Sequence, residues 1–179
     1  RRIPAEARFS CFLTYIVYFP KLLSGPIERP KVFLAQLDKP KLINKEMISK
    51  SLALICVGLL RKMLIADPLT ALIQSDSFVN PAHVPMLVLL FDLLAYAFAL
   101  YNDFAGYSSI VRGVSLLFGI ELNQNFNLPY LSRNFNEFWS RWHISLSDAL
   151  RDYVYFPLSR WLAVRIPRRN HALNLILPP

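Results

Sequence analysis

Apolar residues along this chain gather in blocks of helical length, and the longest block is Val84 to Ala105, "VPMLVLLFDLLAYAFALYNDFA". At about 1.5 Å per residue, a helix over that block crosses a hydrocarbon core of ~30 Å. Only Asp92, Asn102 and Asp103 interrupt it. A second block, Met47 to Ala66, contains Arg61 and Lys62. Shorter apolar stretches lie at Phe9 to Gly25, Tyr107 to Ile120 and Tyr153 to Ile166. These suit half-helices, tilted segments or re-entrant pieces better than full spans. No uncharged apolar run reaches the ~18 residues of an unambiguous span, so the spans are read from windows that tolerate one or two polar positions.

Polar punctuation divides these blocks. The first ends at "SGPIERP", where Gly25 and two prolines stop a helix. A basic, amphipathic linker follows before Met47. "IADP" is expected to close the second block, because Pro68 disfavours helix at Asp67. "QSDSFVNPAHVP" reads as a short polar loop rich in turn formers. Gly106, Gly113 and Gly119 permit close helix contacts or local unwinding. "NQNFNLPYLSRNFNE" is irregular in pattern, and Asn134 with Glu137 then makes an N-cap and capping-box pair for a helix from Phe135 to about Tyr153. In that helix Trp139, His143, Leu146 and Leu150 share one face, while Glu137 and Arg141 pair at i,i+4 on another. The predicted fold class is all-α: a polytopic membrane protein with full spans, half-helices and re-entrant segments.

Composition agrees with this pattern. Hydrophobic residues make up 54% of the 179 and charged residues 18%, against roughly 25% charged in a soluble domain. The net charge of +8 changes the picture through its distribution. Lys31, Lys39, Lys41 and Lys45 fill one polar stretch, and Arg133, Arg141, Arg151, Arg160, Arg165, Arg168 and Arg169 another. Between Met63 and Val111 there is no Lys or Arg. By the positive-inside rule, residues 26–46 and 121–152 lie on the cytoplasmic side and the loop Asp67 to Pro85 outside. Arginines spread among apolar segments do not form the single basic face of a nucleic-acid binder. Cys11 and Cys56 sit in apolar surroundings and are read as small core residues. No signal-peptide cleavage site follows the first apolar stretch. Arg1 stands where an initiator methionine would, and Pro179 follows the start of an apolar run, so residues 1–179 are read as the central part of one membrane-embedded domain.

Few residues carry candidate chemistry. His143 is either a group that accepts and returns a proton near neutral pH or a buried histidine satisfied by one hydrogen bond. Asp103, at the end of the longest block, either has a partner or lines a wet cavity, or simply faces water at the interface. Arg61 and Lys62 either snorkel to headgroups or bind an anionic group. The aromatic group Phe135, Phe138, Trp139, Trp142, Tyr153, Tyr155 and Phe156 reads as an interfacial belt or packing layer. His83 and His171 have no assigned role, and the three histidines form no metal-binding spacing.

Four motifs follow one another: "YFPKLLSGPIERP" (18–30), "GLLRKMLIADP" (58–68), "YNDFAGYSSIVRG" (101–113) and "NQNFNLPYLSRNFNEFWSRWHISLSDALRDYVYFPL" (123–158). In this order the chain resembles the membrane-bound O-acyltransferase family, in the bacterial branch of alginate O-acetylation. The last block, with "FW", "RWHISLS", "LRDY" and "PL" in register, is the most specific. Ser109 departs from the acidic residue of many relatives, and "PLSRW" departs from their glycine-rich continuation.

The resemblance implies a multi-pass enzyme of the cytoplasmic (inner) membrane. It would move an acyl group, acetyl above all, from a cytoplasmic donor to a hydroxyl of a cell-surface polysaccharide. The donor, acyl-CoA or an acyl carrier protein, is a co-substrate, and no bound cofactor or metal is implied. Partners implied are membrane lipid, the donor or its carrier, the polysaccharide acceptor and periplasmic or extracellular acyl-transfer proteins, with no nucleic acid. His143 matches a supporting catalytic position. The histidine treated as the family's base falls in a tryptophan-histidine motif beyond Pro179, so residues 1–179 alone are expected to be inactive. Asp103, Asn125, Arg141 and Trp142 are implied as substrate or tunnel lining. Two rival readings are a non-catalytic membrane scaffold or transporter-like protein, and a degenerate relative lacking the downstream histidine.

Overall fold

The computed structural model describes residues 8–38, 42–74 and 77–165, and among them all regular structure is helical. Lys39, Lys41, Arg168, Arg169 and His171 lie outside the described residues, as does Ile166. The chain forms two compact units, residues 1–124 and 125–179.

The first unit contains α1 (Phe9–Val17), α2 (Phe19–Leu22), α3 (Pro30–Leu37), α4 (Lys45–Leu60), α5 (Asp67–Leu72) and α6 (Met86–Leu117). The first apolar stretch breaks at Tyr18 into α1 and α2 and stops before Gly25. The basic linker is itself helical over α3, which Pro30 starts from its first turn. Asn44 caps α4 by accepting the Met47 N–H at 2.8 Å.

Pro68 does not close the second block. Helical winding passes from α4 through a π-helical segment, Arg61–Ala66, into α5. In that segment the Asp67 N–H reaches the Lys62 carbonyl, one residue further back than in an α-helix. The wider turn lets proline enter at the start of α5, where its missing N–H is least costly. Tyr107 to Leu117 is likewise no separate short piece but the continuation of α6, which runs 32 residues, about 48 Å. It ends in a Schellman arrangement: Gly119, at φ 72°, sends its N–H to the Leu116 carbonyl, and Ile120 sends its own to Ser115.

α6 inverts the pattern of a soluble core helix. Its buried positions include Asp92, Ala95, Ala99, Asn102, Gly106, Ser108 and Gly113. Leu87, Leu90, Phe91, Leu93, Leu94 and Phe98 are exposed. Among the described residues α6 is the helix long and apolar enough to cross a membrane. Small residues let α4 approach it closely. A Cβ on Gly113 would stand 2.7 Å from the Ser51 carbonyl oxygen. Cys56 is exposed on α4 rather than packed in a core, and Cys11 is half-buried.

Tyr18, Phe33, Val111, Ile120 and Leu122 form the hydrophobic cluster of this unit. Beside it Glu28, 3% exposed, accepts the Asn123 backbone N–H at 2.6 Å and the Asn123 amide at 2.9 Å. Burial pushes the Glu28 carboxyl up, while Asn123, Lys21 and Arg112 pull it back down. The clamp holds "SGPIERP" to the irregular segment after α6, an attachment that spans 95 positions of sequence.

The second unit contains α7 (Phe135–Arg141), α8 (Ile144–Leu150) and α9 (Phe156–Arg165), with π-helical Arg151–Tyr155 joining the last two. The single helix expected from Phe135 to Tyr153 is broken at Trp142 and His143. Trp139, His143, Leu146 and Leu150 therefore do not share one helix face. Trp139 and Leu150 are about half exposed.

Candidate active site

The break between α7 and α8 builds the site. α7 starts as expected: the Asn134 side chain accepts the Glu137 N–H at 2.8 Å, and Glu137 Oε2 accepts the Arg133 N–H at 2.8 Å. That second bond holds the Glu137 carboxyl below the usual range, and Arg141 adds to the effect. Arg141 donates to Glu137 Oε1 at 2.6 Å, completing the predicted i,i+4 pair.

Trp142 then leaves helical geometry, at φ −99° and ψ 125°. Its ring stacks on Phe138 with centroids 5.6 Å apart and meets the edge of Phe126 at 5.1 Å. These contacts pin the indole inside an aromatic packing layer. Phe135, 84% exposed, stands outside it.

His143 follows in left-handed backbone geometry, at φ 43° and ψ 54°. A non-glycine residue pays about 1–2 kcal/mol for that conformation. Its carbonyl accepts the N–H groups of Leu146 and Ser147, both at 3.0 Å, and so opens α8. The imidazole is partly buried, with its centroid 6.3 Å from that of Phe126. Burial lowers its proton affinity, which favours the neutral ring at physiological pH.

The opposing segment, residues 125–127, holds this corner. The Asn125 carbonyl accepts the Ile144 N–H at 2.9 Å, and Asn127 donates its own N–H to the Arg141 carbonyl at 2.9 Å. Ser145 Oγ donates to Asn125 Oδ1 at 2.6 Å. Asn125 is fully buried, and its Nδ2 meets no acceptor among the described residues. Four residues expected at a site, Asn125, Arg141, Trp142 and His143, are thus brought together within one unit. Asn127 and Ser145 had no role from the sequence. The alternation Asn125, Phe126, Asn127 was the signal for Asn127, since in an extended segment it places both asparagines on one side, while Ser145 had none.

Asp103 belongs to the first unit. Lys62 Nζ lies 2.7 Å from Asp103 Oδ1 and 2.9 Å from Asp67 Oδ1, so Lys62 joins the π-helical segment to α5 and α6. The Lys62 and Asp103 side chains also line a pocket of about 440 Å³ whose other walls include Leu100, Phe104, Tyr107 and Ile110. Asp103 therefore has a partner and borders a cavity. The Arg61 guanidinium lies over the Tyr101 ring at 5.5 Å. A larger cleft of about 1280 Å³ in the same unit is lined by Lys31, Lys50, Arg112, Glu121 and Asn123, among others.

Similarity to known proteins covers both units. The chain is 36% identical over 154 residues to the peptidoglycan O-acetyltransferase of Helicobacter pylori, covering 85% of this chain and 29% of that protein. It is 36% identical over 156 residues to the probable alginate O-acetylase of Pseudomonas aeruginosa, covering 87% and 29%. It is 36% identical over 155 residues to the teichoic acid D-alanyltransferase of Bacillus subtilis, covering 84% and 38%. The chain therefore spans between 29% and 38% of the length of these curated relatives. Motif order, an apolar-faced helix long enough to cross a membrane and the histidine corner all fall inside residues 7–168, the segment matched by one family; the chain belongs to the membrane-bound O-acyltransferase family.

Proposed function

We propose that the protein containing this chain is a multi-pass enzyme of the cytoplasmic membrane that acylates a hydroxyl of a cell-surface polysaccharide, with acetyl as the transferred group. Family membership supports acyl transfer, and the relatives named for peptidoglycan, alginate and teichoic acid support an envelope polymer as acceptor. The observation that carries the reading is the neutral-prone His143 held in left-handed geometry inside the matched segment.

In the transfer step the acceptor oxygen attacks the carbonyl carbon of a thioester donor, acyl-CoA or an acylated carrier protein. The new C–O bond forms, the C–S bond breaks, and the hydroxyl proton passes to a base as the sulfur leaves. The resemblance assigns that base to a histidine downstream of Pro179. His143 then acts beside it, orienting donor or acceptor through a hydrogen bond. The cleft bearing Lys31, Lys50 and Arg112 is walled in part by the two stretches read as cytoplasmic, through Lys31 and Glu121 among others, and offers cations to a phosphate-bearing donor. The resemblance implies Asp103, which borders its own pocket in the first unit, and Arg141 and Trp142, in the second, as lining residues. The remaining partners are bilayer lipid and extracytoplasmic proteins that receive or relay the acyl group.

The test uses the complete protein in membranes with radiolabelled acetyl donor and polysaccharide acceptor. His143→Ala is expected to lower transfer at least about ten-fold while insertion is normal. Full transfer by the inserted variant would remove His143 from the site. Solute flux without any acylated product would favour a transporter-like scaffold instead.

A further inference from the structure

Two non-glycine residues among those described adopt left-handed geometry, Leu128 and His143, and both lie in the second unit. Such strain persists only where surrounding structure over-determines it, and it clusters at functional sites. Leu128 closes the segment 125–128, and His143 sits at the corner that this segment holds. The two strained residues therefore belong to one hydrogen-bonded module.

Asn125 is the member of that module with the most bonds to the corner. Its backbone carbonyl takes the N–H of the residue after His143, and its side-chain carbonyl takes the hydroxyl of the residue after that. On the other side of His143, Asn127 fixes the Arg141 carbonyl. Relaxing His143 to right-handed φ requires a rotation of about 100°. That rotation would carry the Ile144 N–H away from Asn125 and swing the His143 Cα–Cβ bond to a new direction. The hydrogen bonds on both sides resist it.

Packing alone would not call for an amide here. A fully buried position that only filled space would be served by an apolar side chain of similar volume, without leaving Nδ2 unpartnered among the described residues. The amide answers the Ser145 hydroxyl, and an aspartate in its place would bury a charge.

We infer that Asn125, acting through Ser145 and the Ile144 N–H, is a positioning residue that holds His143 in left-handed geometry and so sets the direction of its imidazole. The inference rests on the proposed role of His143 and names the device that makes the role possible.

The experiment measures acyl transfer per inserted molecule of the complete protein, with Ser145→Ala, Ser145→Thr, Asn125→Ala and His143→Ala, alone and combined. Ser145→Ala is expected to lower kcat about five- to ten-fold, with KM for the donor changed less than about two-fold. Ser145→Thr, which restores the hydroxyl, returns kcat to near the wild-type value. Asn125→Ala lowers kcat further where the protein inserts, and Ser145→Ala keeps the test intact if Asn125→Ala fails to insert. In a His143→Ala background Ser145→Ala adds nothing, because its effect runs through the missing ring. The inference is overturned if inserted Ser145→Ala protein has wild-type kcat, or if Ser145→Ala lowers kcat equally with and without His143. Wild-type transfer by His143→Ala is a separate result: it removes the role of His143 itself, whatever Asn125 does.

Discussion

Gly58 and Gly106 meet back to back: a Cβ on Gly58 would lie 2.6 Å from the Gly106 carbonyl oxygen, and one on Gly106 would lie 2.8 Å from that of Gly58. Both obstacles are backbone, so neither can rotate aside. Gly58→Ala or Gly106→Ala must push α4 and α6 apart, at a cost of about 1–3 kcal/mol. Thermal unfolding in detergent is the check. Both variants should melt lower than the wild type, whereas Ala53→Gly at a position away from this contact should lose only its helix propensity, about 1 kcal/mol. Equal melting of Gly106→Ala and wild type would show that the helices do not pack at this point.

Asp92 is 1% exposed on the face of α6 that packs on protein, and Ser77 Oγ donates to its Oδ2. The Gln74 N–H stands 3.4 Å from the same oxygen, and Oδ1 has no donor among the described residues. A buried carboxyl with so few donors depends on each one. Ser77→Ala is expected to destabilise the protein by about 1–3 kcal/mol. Much of that loss should disappear when Asp92 is also changed to Leu, because no carboxyl then remains to be satisfied. A double mutant no more stable than Ser77→Ala would contradict the pairing.

Lys62 stands between Asp67 and Asp103. Lys62→Met leaves the two carboxylates to repel each other across the π-helical segment, and the yield of inserted protein should fall. Adding Asp103→Asn to Lys62→Met should recover part of it. Quantitative blotting of membrane fractions reads the outcome, and no recovery in the double variant would place the repulsion elsewhere.

The depressed proton affinity of His143 has a sign that can be worked out. Burial holds its folded-state pKa below the unfolded value of about 6.5. As pH falls through that value the unfolded chain takes up a proton that the folded chain refuses, so stability falls. The loss grows until pH reaches the folded-state pKa and is constant below it. Melting temperatures of wild type and His143→Gln, compared from pH 7.5 to 5, should therefore separate in slope, the wild type losing more on acidification. Parallel slopes would mean that the imidazole titrates as it does in water.

The chain itself announced its local features. Asn134 and Glu137 carry a helix start, and the Glu137–Arg141 pair closes one turn. Each involves groups within a few positions of one another, so the chemistry of neighbours suffices. The longest apolar block likewise foretold a helix long and apolar enough to cross a membrane, because that length depends only on rise per residue. Family motifs were legible for the same reason: they are runs of adjacent residues.

Other features needed the folded molecule. Periodicity predicted one helix through His143, since Trp139, His143 and Leu146 recur at helical spacing, yet the bond between Ser145 and Asn125 crosses 20 positions and sustains a corner there. Pro68 read as a stop because local sterics disfavour helix before proline, whereas the π-helical turn against α6 accommodates it. Gly106 signalled a close approach without naming Gly58, and Asp103 signalled a partner without naming Lys62. Local sequence determined which conformations each segment could adopt cheaply. Contacts between distant segments decided which costly ones, the left-handed histidine above all, were kept.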